Sequence, residues 1–276
     1  MFPWFNIVLS FVKYLDNRIK TVYMITKIEL DKLADKYEKE YFINSDPVQF
    51  PHIYKTNKDI EIAGFISSLV AYGSRKVFIK KLQQLFEIAN NEPLNFILNF
   101  EKGILGDFNY RFGRTEDFEN IFTVMKELYS KDGGLEELFK YAYSETKTLR
   151  DVRFFKTVTD YFYSRVKSNA GQGFYFMIPN PENNGAMKRM NMFLRWMVRK
   201  PPVDFGIWDF IPCSELLIPL DVHVARVSRE MGLLTRNSND FKAVIELSDN
   251  LRAFNPEDPI RYDFATFGYG VSEANQ

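Results

Sequence analysis

Cysteine is nearly missing from this chain of 276 residues, and its scarcity removes whole classes of chemistry. The single Cys213 excludes an internal disulfide, a four-cysteine iron–sulfur cluster and a cysteine-rich zinc site. It fits a reducing cytoplasm, which is where we place the protein. Net charge is missing too. The 36 Lys and Arg stand against 36 Asp and Glu, so no global field draws the chain toward nucleic acid, and any basic surface has to be local. The apolar run over 2–12 falls well short of the ~20 residues a helix needs to cross a bilayer. It also lacks the basic residues before it and the small residues after it that mark a secretory signal. Residues 1–23 are then either an extension with a misassigned start or a packed N-terminal helix. A membrane anchor is the third reading, and no membrane partner is expected. Strict apolar–polar alternation is rare, and internal repeats and low-complexity tracts are absent.

Apolar residues, by contrast, are plentiful at 46%, enough for a core and too many for wholesale disorder. The 27 Phe, 15 Tyr and 3 Trp are chiefly packing groups, since each ring buries a large area. Their spacing is helical. It predicts helices over 28–41, from a cap at Thr56 or Asn57 to a stop at Gly73, from a cap at Ser74 through Ala89, and over 92–100, 115–129, 135–143 and 151–166. A basic helix follows over 187–200, MKRMNMFLRWMVRK, with Met190, Phe193, Leu194 and Met197 on a core-facing stripe and Lys188, Asn191, Arg195 and Arg199 near the opposite face. Further helices begin at caps Asp221 and Asp240, and a last one covers 260–269. Residues 174–178 are the one short run that reads as a strand. We therefore expect an all-α fold, in which residues 24–276 form one helical domain of two lobes around a cleft.

Two residues in this pattern point to chemistry. Lys188 opens one helix and Asp221 caps another. An ammonium at a helix start is disfavoured by the helix dipole and by burial, which is how a lysine is made nucleophilic near neutral pH. A carboxylate at an N-cap accepts backbone N–H bonds, stays ionised and can stabilise a developing cation. A nucleophilic amine beside a fixed carboxylate suits attack on a carbon that becomes an oxocarbenium, such as the anomeric carbon of a nucleoside. Adjacent Arg189 competes with Lys188 for the position facing Asp221.

The segments Gly185-x-x-Lys188-x-x-Asn191 and Leu220-Asp221-Val222-His223-Val224-x-Arg226-Val227 resemble the helix-hairpin-helix base-excision DNA glycosylases. The wide separation of Lys188 from Asp221 and the absence of cluster cysteines look most like the archaeal 8-oxoguanine glycosylase branch. The stretches IAGFISSLVAYGSRKVFIKKLQQLF, KRMNMFLRWMVRK, IPLDVHVARVSREMGLL and NPEDPIRYDFATFGYG are similar to a bacterial family called DUF2400. The glycosylase resemblance implies excision of a flipped, damaged base from double-stranded DNA, an oxidised purine such as 8-oxoguanine, through a Lys188 Schiff base assisted by Asp221, in a monomer that needs no metal or cofactor. It implies phosphate contacts at Ser74, Arg75, Gly185, Arg189 and Arg195. The base pocket would draw on Tyr72, Asn191, Trp208, His223 and Phe267, with Trp196, Trp208 and Phe267 as rival stacking rings. The hairpin departs from the family's Leu-Pro-Gly-Val-Gly, reading Pro181-Glu182-Asn183-Asn184-Gly185-Ala186. Two other readings stay open: a non-catalytic nucleic-acid-binding module, and a helical scaffold that meets another protein.

Overall fold

The computed structural model describes residues 24–166 and 170–274, with side chains through 270. The expected extension over 1–23 lies outside the described residues. Twelve α-helices are described: α1 (Lys27–Tyr37), α2 (Asn57–Val70), α3 (Arg75–Ile88), α4 (Pro93–Leu98), α5 (Thr115–Lys131), α6 (Leu135–Thr146), α7 (Val152–Arg165), α8 (Gln172–Met177), α9 (Lys188–Val198), α10 (Val222–Glu230), α11 (Phe241–Phe254) and α12 (Asp263–Ala274). No strand occurs among the described residues, only isolated bridges such as Gly185 with Asp240. The protein is all-α. None of the described helices is long and apolar enough to cross a membrane.

Side-chain caps set five of the described helix starts, α1, α2, α7, α10 and α11. Thr56 accepts the Asp59 amide at the start of α2, and Asp240 accepts the Ala243 amide at the start of α11. Two local expectations are corrected. The helix expected over 28–41 ends at Tyr37, and the chain then winds through 3-10 turns at Glu40–Ser45, Pro47–Gln49 and Pro51–Ile53. The run 174–178 belongs mostly to α8, a helix rather than a strand. Gly173 permits this, because a Cβ there would lie 2.3 Å from the Phe112 carbonyl oxygen.

The core is organised by α2 crossing α9. A Cβ on Gly64 of α2 would stand 3.1 Å from the Met197 methyl and 3.5 Å from the Phe193 ring of α9, so the two backbones approach closely. Every residue of α2 from Ile60 to Val70 is buried, and so is every residue of α9 from Met190 to Val198. This overturns the outward polar face expected for α9. Arg195 and Arg199 are buried and their charges are matched inside: Arg195 pairs with Asp204 at 3.2 Å and with Asp263, and Arg199 with Glu38, Asp204 and Asp258 at 2.7–2.9 Å. Burying such charges is tolerable only with this level of pairing.

Around this pair, α4 and α8 each pack on α5, α6 lies against α7, and α12 is held between α1 and α10. On α2, Glu61 accepts the Tyr129 hydroxyl, the Leu135 amide at 3.1 Å and the Trp208 indole N–H at 3.1 Å, joining α2, α5, α6 and the segment after α9. Cys213 lies beside Asp258, and burial pushes its thiol up to about 12, so it stays unreactive near neutral pH.

Candidate active site

Pro219 and Leu220 deliver Asp221 to the start of α10, where its Oδ1 accepts the amides of His223 and Val224, each at 2.9 Å. That bond pattern leaves Oδ2 free, and Lys188 Nζ from the first position of α9 lies 3.1 Å from it. Burial pushes the Asp221 carboxyl up, yet the Lys188 charge and the Val224 amide outweigh it and hold the group below its ordinary value. The lysine side chain is 33% exposed and the aspartate 17%, so the pair is neither sealed in nor washed by bulk water.

Both residues line a cavity of about 710 Å³. Its walls come from the 3-10 turns before α2, the α2–α3 corner, the turn before α9, and the starts of α9, α10 and α12. Phe42 meets the Phe264 and Phe267 rings edge-on at 5.5 and 5.9 Å, giving one wall of aromatic faces. Such a volume, apolar with a few convergent polar groups, matches small-molecule sites in general.

The adjacent cations Lys188 and Arg189 are resolved by geometry. Lys188 faces Asp221. Arg189 turns the other way, donating to the Phe176 carbonyl and lying over the Phe176 and Tyr72 rings at 4.6 and 5.5 Å. Burial, with no carboxylate partner among the described residues, pushes its guanidinium down to about 10.

The model of the DUF2400 family, described as a protein of unknown function, matches residues 46–272. The chain belongs to that family. The description names no activity. Neither a curated protein nor a solved structure is matched. The DUF2400 match begins at Asp46 and runs past Gly270, so it includes the cavity-lining residues named above except Phe42.

Of the other residues singled out in the DUF2400 sequence, Tyr72, Arg75, Gly185, His223 and Phe267 line the cavity. Arg75 lies 5.0 Å over the Phe267 ring, and Tyr72 donates to the Tyr110 carbonyl at 2.9 Å. Ser74 is exposed at the start of α3 and caps no amide through its side chain. Four assignments are corrected. Trp208 is buried against Glu61, and Trp196 is wholly buried, so neither ring can stack on a ligand in the cavity. Asn191 is buried and donates to the Ala186 carbonyl at 3.2 Å, tying the turn to α9. Arg195 reaches the cavity only as part of its floor, already paired with Asp204 and Asp263. Gly185 has open space where a Cβ would be, and the left-handed positions of the turn are Asn184 and Met187, with φ of 57° and 49°.

Two carboxylates in the cavity went unread in the sequence. Asp46 accepts the Val48 amide at 3.1 Å, and burial raises its carboxyl against the pull of Arg195. Burial likewise lifts Asp263 to about 6, against its partner Arg195 and with a push from the Asp221 charge. The only local signal for Asp46 was its place before Pro47, which reads as a helix breaker. Asp263 lies within a motif that was noted as a whole.

Proposed function

We propose that the protein is a DNA glycosylase with abasic-site lyase chemistry, built on a helix-hairpin-helix glycosylase-like arrangement whose two lobes meet at the cavity. One observation carries this reading: a lysine amine and a capped carboxylate from separate helices lie 3.1 Å apart on the wall of a cavity large enough for an extruded nucleotide. A base inside a duplex must leave the stack to reach such a pair. The aromatic wall of Phe42, Phe264 and Phe267 offers faces for stacking, and Asp46 offers hydrogen bonding to a base edge.

The ion pair is the resting state. Attack requires Lys188 to give up a proton, and Asp221 Oδ2 is the carboxylate placed to take it. Asp221 passes that proton to the base as the C1′–N bond breaks, the base leaves with the electron pair, and the lysine nitrogen bonds to C1′. Ionised again once it has given up that proton, Asp221 stabilises the positive charge at C1′, its Oδ1 held by two amides. Opening of the sugar ring gives the Schiff base. Loss of a C2′ proton then expels the 3′ phosphate by β-elimination. The substrate we favour is an oxidised purine such as 8-oxoguanine in double-stranded DNA.

The test is base release from duplexes carrying a panel of oxidised and deaminated bases. Release by the wild type that falls at least about a hundredfold in Lys188→Gln, with duplex binding retained, supports the enzyme. Duplex binding with no release from any lesion favours a non-catalytic module on the same fold.

A further inference from the structure

The helix that leaves the α2–α3 corner opens on two cations, Arg75 and Lys76. The positive end of a helix dipole favours acids, as in the first turns of α1, α2, α5 and α6, although α4 and α7 to α11 carry none there. In α3 the first turn has no acid and opens on Arg75 and Lys76; Lys80 and Lys81 follow one turn later. Among the described residues neither Lys76 nor Lys80 forms an ion pair. Lys81 is held over the Phe108 ring at 5.2 Å and donates to Gln84. A shallow recess of about 280 Å³ is lined by Lys76, Val77, Lys80, Lys81 and Gln84, all of α3, with Val77 exposed between the lysines. Exposed cations side by side, two of them with no ion pair among the described residues, suit a partner that supplies negative charge.

The arrangement is linear. Lys76 and Lys80 are one turn apart, a rise of about 6 Å along the helix, and Arg75 carries the row to the cavity, where it covers Phe267. A single anion would satisfy one of these cations; a chain of phosphates satisfies the row. We propose that the exposed face of α3 is a track for a nucleic-acid phosphate backbone leading from the cavity mouth, with Lys76, Lys80 and Lys81 as its phosphate contacts. The inference rests on the glycosylase reading for the identity of the polymer, and it adds where the duplex flanking the extruded nucleotide lies. These contacts position the strand and carry no base preference.

The experiment measures binding of a fluorescein-labelled, undamaged duplex of about 20 base pairs by anisotropy between about 50 and 200 mM salt. The variants are Lys76→Glu/Lys80→Glu/Lys81→Glu, the same three positions changed to Gln, and a control with the identical charge change at exposed Lys32, Lys39 and Lys140. Thermal melts confirm folding of each. Loss of three phosphate contacts should weaken binding at least about tenfold and flatten the slope of log K against log salt by roughly 3. The Gln variant should show most of the effect and the control little of it. Equal behaviour of the α3 variant and the control overturns the track. Loss of binding to phosphatidylserine vesicles with duplex binding intact overturns it in favour of a lipid surface. Strand nicking at an abasic site by the wild type reports the Lys188 chemistry separately. Nicking with an unchanged salt slope in the α3 variant sinks the track alone, whereas a lowered slope without nicking by the wild type sinks the enzyme and keeps the track.

Discussion

Asp221 divides its two oxygens between two tasks. Oδ1 closes the start of α10 by accepting two amides, and Oδ2 holds the Lys188 ammonium. The tasks can be separated by substitution. Asn ranks with Asp at an N-cap, so Asp221→Asn should change stability by less than about 1 kcal/mol, measured by urea denaturation. The same change removes the negative charge facing Lys188, and base release should fall by about 10²–10³. A variant that loses stability and activity in proportion would mean that Asp221 serves the fold alone. At this scale the sequence was a good guide to Lys188 and Asp221, because both sit at helix starts where local pattern fixes position. It was a poor guide to Arg195, Arg199 and Asn191. Periodicity places charged residues outside, whereas most of the carboxylates that bring Arg195 and Arg199 inside, Glu38, Asp258 and Asp263, come from distant parts of the chain, and Asp204 from the segment just after α9.

Helix starts and stops show the same division between local and non-local causes. Thr56, Asp221 and Asp240 cap the helices their sequence context announced. The strand expected over 174–178 became part of α8 because a short aromatic run carries no decisive period, and tertiary contact at Gly173 settled it. The α11 cap makes a testable case. Asp240 accepts the Ala243 amide at 3.0 Å and two donors of Arg236, and the Arg236 hydrogen bond leads in pulling its pKa down to about 2. A carboxyl depressed on folding adds stability above its unfolded value, near 4, and loses it as pH falls through the folded value. Asp240→Asn keeps the cap but loses the charge facing Arg236, so it should destabilise the protein by roughly 0.2–1 kcal/mol at pH 7. The gap between wild type and variant should close as pH drops from about 4 to about 2. Denaturant midpoints across that range give the answer, and a gap independent of pH would contradict the assignment.

Across the whole molecule, the two ends of the described chain meet to brace the cavity. Tyr262 donates to Asp31 at 2.8 Å, Arg261 pairs with Asp35 and with Glu38 at 3.3 Å, and a Cβ on Gly268 would fall 2.3 Å from the Tyr37 ring. Through these contacts α1 holds α12, which supplies Asp263, Phe264 and Phe267 to the cavity. The DUF2400 match starts at Asp46, after α1. A chain beginning at Asp46 should melt about 10 °C or more below the full chain, since each kcal/mol moves the midpoint by about 2–4 °C at this size, and its α12 amides should exchange faster. Unchanged melting and exchange would show that α12 needs no brace. Helical class was readable from spacing alone; that α1 and α12 would pair was not, since nothing local links Tyr37 to Gly268. The central claim concerns one bond, between Lys188 and a sugar carbon. Borohydride trapping on duplexes containing an abasic site tests it most directly. A covalent protein–DNA adduct that disappears in Lys188→Gln is the predicted result; no adduct with the wild type, or one that persists without Lys188, would contradict it.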